Sequence, residues 1–156
     1  MFRKALLISA TVGAMTTTAV ADGHAGPHAA AIKARQSLMN LYAFNLGVLG
    51  AMAKGDVDYS ADAASAAASN LAALTSMNMA AAWPAGSDSF SVEGTRAKPD
   101  IWENFPDVAS HAGALAAAAA AAAETAGNSL EALQAAMGPL GGACGACHRA
   151  YREPEG

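Results

Sequence analysis

Apolar residues recur along this chain at intervals of three and four, the spacing of one helix face. The clearest run is Leu130, Leu133, Met137, Leu140, Cys144, Cys147 and Tyr151. Its steps alternate between three and four, which makes it one seam of a bundle helix. An earlier helix is predicted from Pro27 to Lys54, with Ile32, Met39, Leu46, Leu49 and Met52 on its apolar face and Gly55 as its stop. Ser60 is placed to cap a second helix, with Asp62 in its first turn and Leu71, Leu74 and Met77 along its buried side. This helix is expected to end before Trp83-Pro84, and a Gly-, Ser- and Asp-rich loop follows from Pro84 to about Lys98.

Pro99 restarts helix, with Ile101, Trp102 and Phe105 as buried candidates. Pro106 divides a short turn from a third helix at about Asp107 to Ala126, and Gly127 fits its C-terminal cap. Asn128-Ser129-Leu130-Glu131 resembles a capping box that opens the fourth helix. Pro139 interrupts the pattern there. A proline inside a helix loses a hydrogen bond and clashes, at about 3 kcal/mol, so a bend is expected, with Gly141 and Gly142 placed to accept it. Four helices with short connections and one longer loop predict an all-α, antiparallel four-helix bundle.

Composition adds to this picture. Aromatics make up only 6% of the chain, and Ala116 to Ala123 is an unbroken alanine run. Alanine has the best helix propensity and loses no side-chain entropy. It buries little area, however, so a bundle built from it gains from a bulky apolar group in its middle.

The N-terminus reads as an export signal. Arg3 and Lys4 precede a short apolar run from Ala5 to Met15, and Ala19-Val20-Ala21 has the small-x-small form of a cleavage site. The run is too short to span a bilayer, so no stable membrane anchor is expected, with an uncleaved anchor as the alternative. Residues 1–21 are assigned to the signal and residues 22–156 to one domain. Taking Arg3 and Lys4 from the nine Lys and Arg leaves seven against thirteen Asp and Glu. An acidic domain of this kind is not expected to bind nucleic acid.

Both cysteines of the chain fall in Cys144-Gly145-Ala146-Cys147-His148. That spacing is a covalent haem attachment site. The two thiols add to the two vinyl groups of one haem, and His148 follows as the proximal iron ligand. A redox Cys-x-x-Cys pair usually opens a helix after a strand. A zinc site needs four ligands, yet His24 and His28 lie in an N-terminal tail and His111 is alone. A disulfide across so short a loop adds little stability. Because both cysteines lie on the core seam, the haem is expected inside the bundle. The second axial position needs another ligand, and Met39, on the apolar side of the first helix, offers a soft thioether sulfur. Packing is the competing role, for Met39 as for Met52, Met77, Met79 and Met137.

Three segments carry a family resemblance: Ile32-Lys33-Ala34-Arg35-Gln36-Ser37-Leu38-Met39, Lys98-Pro99-Asp100-Ile101-Trp102, and Cys144 through Arg152. With them the mature chain resembles the class II c-type cytochromes, the cytochrome c prime family and its low-spin relatives such as cytochrome c-556. Val48 to Gly55 and Ala135 to Gly141 resemble the low-spin branch in particular. The resemblance implies one haem c in a four-helix bundle, a periplasmic location, and electron transfer with redox partner proteins. It also implies that Arg35 and Gln36 contact the haem edge and a propionate, that Arg152 packs beside the proximal ligand, and that Met39 is the distal methionine. Arg96 and Lys98 are further candidates to face a propionate. Relatives of this kind occur as monomers and as dimers built on the first two helices, where Leu41, Tyr42 and Phe44 could mark such a surface.

Three functions compete. A non-enzymatic one-electron carrier would use His148 and Met39 as its two axial ligands. A five-coordinate protein with Met39 only packing would bind nitric oxide or carbon monoxide on its open distal side. A peroxidase ranks last, because the first helix offers no His or carboxylate near Met39 for distal acid-base work.

Overall fold

The computed structural model describes residues 26–154. The expected signal segment lies outside the described residues. Helix α1 spans Ala29–Lys54, α2 Ala61–Thr75, the short α3 Asp100–Glu103, α4 Phe105–Thr125 and α5 Leu130–Tyr151. A 3₁₀ turn at Ala80–Ala82 stands before the long loop. Around the bundle, α1 packs on α2, α2 on α4, α4 on α5, and α5 returns more sparsely to α1. The four long helices form the antiparallel four-helix bundle that the apolar spacing predicts. Among the described residues the only β pairing is an isolated antiparallel bridge between Ala97 and Arg152.

The helix ends follow local chemistry. Gly55 closes α1 with φ 80°, a left-handed conformation that suits glycine. The Ser60 side chain accepts from the Ala63 N–H at the start of α2. Ser129 does the same for α5, accepting from Ala132 N–H at 3.1 Å. The α5 cap is therefore Ser129, one residue later than the expected box. Glu131 then sits too early for the reciprocal bond, yet its carboxylate lies well placed for the helix N-terminus. Hydrogen bonds from its own backbone N–H and from Ser129 hold it below the ordinary range.

Several other expectations need correction. Helix α1 begins at Ala29, because His28 takes the left-handed conformation with φ 65° and leaves Pro27 outside the helix. Helix α2 stops at Thr75, and Met77 is 53% exposed beyond it. Phe105 is 50% exposed, since it opens α4 on the outer side, while Ile101 takes the buried place. Gly127 does not adopt a left-handed cap. A Cβ there would overlap the Ser65 hydroxyl and come within 3.2 Å of Ala61 O, so the glycine permits close approach of the α4–α5 turn to α2. Helix α5 continues on both sides of Pro139 without a break, as a bent helix also does.

Six of the eleven residues in the main buried cluster are alanine, and Leu49, Met52, Leu71, Leu133 and Leu140 fill the rest. The α5 seam is legible in the burial: Leu133, Leu140 and Tyr151 are buried, and Leu130, Met137, Cys144 and Cys147 are half-buried. Asn45 is also buried, where it donates to Leu41 O and accepts from Asn70 across the α1–α2 interface. A second, smaller cluster joins Ala97, Ile101 and Tyr151 to Trp83, Trp102, Val108 and Cys147. It lies at the end of the bundle that carries the haem motif.

Candidate haem site

The last turns of α5 carry the motif. Every residue from Ala143 to His148 is half-buried, so this stretch presents partly open surface where a bundle seam would normally close. Cys144 and Cys147 are free thiols, and burial pushes both up from their ordinary range. For Cys147 the neighbouring Cys144 and Asp107 push the same way. The two unpaired thiols stand one helical turn apart, a spacing that matches two attachment points on one haem. Burial lowers the His148 imidazole, and Arg152 and Arg96 lower it further. A neutral ring is the ligating form. Among the described residues no group of three or more His, Cys, Asp or Glu side chains could hold a metal ion.

The opposite wall is α1. The Tyr42 phenol donates to Leu74 O at 3.3 Å, and burial together with the nearby Cys144 raises it. This places the Tyr42 turn of α1 beside the motif. Met39 lies one turn earlier and is 38% exposed. It follows Ile32 by seven residues and Arg35 by four, so the three share a face. Leu38, not Met39, is the residue that packs into the bundle interior here.

Arg35 is 3% exposed and stands at the centre of the contacts that hold the 84–98 loop. Its guanidinium donates to Ala82 O at 3.2 Å, to Ser87 Oγ at 2.6 Å, to Ser87 O, and to Thr95 Oγ1 at 2.8 Å. It also stacks over Trp83, 4.8 Å from the ring centroid. Burial lowers it, while Asp88 acts in the opposite sense. A planar five-donor fork suits this cluster of acceptors as no lysine would. Gln36 donates to Gly94 O at 2.7 Å, so adjacent residues of α1 hold both halves of the 84–98 loop. At its far end the same loop grips the end of α5. Lys98 N donates to Tyr151 O and Glu153 N to Arg96 O, and the Arg96 side chain donates to Glu153 O.

The structure thus brings Cys144, Cys147 and His148 together on α5, and sets Arg35, Gln36 and Met39 on the facing part of α1. Arg35 and Gln36 are occupied with the loop, a role their sequence context did not announce. Ser87, Thr95 and Trp83 were missed altogether. They are ordinary residues in a long loop, and only their distant partner gives them meaning.

A four-helix bundle with a Cys-x-x-Cys-His motif on its last helix defines a class of haem c protein. The Cytochrome C' family model matches residues 30–152, and the chain belongs to that family. It is 35% identical to a solved cytochrome c' from Rhodobacter Spheriodes, with a TM-score of 0.81 over 83% of this chain and 100% of that one. It is 45% identical over 78 residues to cytochrome c-554 of Cereibacter sphaeroides, a match covering 50% of this chain and 59% of that protein. Cytochrome c-556 of Agrobacterium tumefaciens is 34% identical over 86 residues, covering 55% of this chain and 66% of that protein. The matched segments thus span less than two thirds of these two relatives, whereas the solved structure is covered throughout. Members of the family carry covalently attached haem c, and the free, half-buried thiols of Cys144 and Cys147 fit that group.

Proposed function

We propose that this chain is a periplasmic one-electron carrier with a single six-coordinate haem c. Cys144 and Cys147 attach the group, His148 is the proximal ligand and Met39 the distal one. The observation that carries this reading is the placement of Met39. It lies one turn from Tyr42, which neighbours Cys144, and one turn from Arg35, whose bonds immobilise that part of α1. A ligand on a fixed helix lets the iron change oxidation state with little rearrangement, and methionine raises the potential.

When bound, the haem supplies the one-electron chemistry. The residues of this chain hold and shield it. His148 offers a neutral nitrogen. The small cluster of Ile101, Trp102 and Tyr151 covers the Cys147 side and excludes water. Gln36 is polar and half-buried, which suits contact with the haem rim, and Arg35 contributes through the loop it holds. Among the described residues no helix is long and apolar enough to cross a membrane. Redox proteins are its expected partners, and it acts as a monomer or a homodimer.

The second reading is a five-coordinate binder of nitric oxide or carbon monoxide. It is favoured by the apolar character of Ile32 and Met39 on the α1 face. Carbon monoxide titration of the reduced protein decides between them. Slow or negligible binding supports a methionine-occupied distal side. Rapid, stoichiometric binding sinks the carrier reading and supports the gas binder.

A further inference from the structure

Asp107 stands at the edge of the haem site, in contact with Tyr151. Tyr151 lies three residues beyond His148, 8% exposed, in the cluster that includes Cys147. Its phenol donates to Asp107 Oδ2 at 2.6 Å. Asp107 stands in the first turn of α4, so this bond joins the start of one helix to the end of another. His111, one turn along α4, brings Nε2 to 3.4 Å from the same oxygen. The His111 ring also stands edge-on to Tyr151, with centroids 6.0 Å apart. One carboxylate oxygen is thereby fixed by two side chains beside the residue that anchors the haem.

We propose that Asp107, held in position by Tyr151, is an electrostatic tuning residue that lowers the reduction potential of the haem attached at Cys147. The argument rests on attachment through Cys147 and not on the identity of the distal ligand. Oxidation leaves the iron centre one unit more positive, so a fixed anion nearby favours the oxidised state. Tyr151 packs in the cluster that includes Cys147, so the carboxylate it holds stands one side chain away from the attachment point. The Asp107 side chain is 60% exposed, so solvent damps the effect. A change of about threefold in the reduction equilibrium is expected when the charge is removed, which at 59 mV per tenfold is about 28 mV.

The test is spectroelectrochemical titration of the haem-loaded wild type, Asp107→Asn, Tyr151→Phe and the double variant. Asparagine keeps an acceptor for the phenol and removes only the charge. Asp107→Asn is expected to move the potential positive by the stated amount with an unchanged visible spectrum. In the Tyr151→Phe background the same substitution should move it less than half as far, because the carboxylate is no longer held. An unchanged or more negative potential in Asp107→Asn overturns the proposal. An equal shift in both backgrounds overturns the part given to Tyr151. Acid-acetone extraction of each protein keeps loss of covalent attachment distinct from either outcome.

Discussion

Replacing Arg35 with methionine should unfasten the 84–98 loop from α1. Methionine keeps an apolar stem against Trp83 and removes every donor. Ser87 Oγ retains its bond to Pro84 O, and Thr95 Oγ1 still accepts from Ala97 N–H, so neither hydroxyl is orphaned. Ala82 O and Ser87 O lose their donor. Two buried carbonyls at about 1–3 kcal/mol each give a loss of about 2–6 kcal/mol. Relief from burying the guanidinium offsets part of this, leaving about 3 kcal/mol. For a domain of this size that corresponds to a fall in Tm of about 10 °C. Far-UV circular dichroism melts measure it, and hydrogen exchange at the Ser89 and Ala97 amides reports the loop directly. Arg35→Lys should recover less than half, since one ammonium cannot span the same acceptors. A Tm within about 3 °C of wild type for Arg35→Met would refute the claim that this arginine organises the loop.

Gly127→Ala should destabilise by about 1–3 kcal/mol in chemical denaturation, through overlap with Ser65. Ser65→Ala in the same chain should restore part of the loss, and the absence of any rescue would contradict the close-approach role. Tyr151 is pushed up to about 12 by its bond to Asp107 and by burial. A raised phenol is favoured in its neutral form when folded, so its contribution is complete below the ordinary tyrosine value and lost as pH rises towards 12. Stability should therefore fall between pH 10 and 12, and Tyr151→Phe should flatten that slope in denaturant midpoints measured across the interval.

The sequence is most transparent where a single period dominates. The Leu130–Tyr151 seam sets both the helix and the buried side of the cysteines, because apolar residues alone define it. Helix α1 was less legible, since Arg35 and Asn45 are buried and polar. Their burial depends on hydrogen-bond partners 25 to 60 residues away, at Asn70, Ser87 and Thr95, which no local pattern reveals. Phe105 misled for the converse reason: its ring is apolar, but the start of α4 points it outward. Gly127 carried a true signal, assigned to the wrong cause. Glycine marks both left-handed caps and close approach, and only the neighbouring helix distinguishes them. The Cys-x-x-Cys-His motif named the cofactor at once, but the strap that joins Arg35 to the end of α5 had no signature.

The visible absorption spectrum of the oxidised and reduced protein, recorded for wild type and Met39→Ala, is the most direct test of the central claim. Ligation by Met39 gives a low-spin spectrum in the wild type that becomes high-spin in Met39→Ala, with the haem still covalently bound. A high-spin wild type, or a low-spin spectrum unaltered by the loss of Met39, would contradict it.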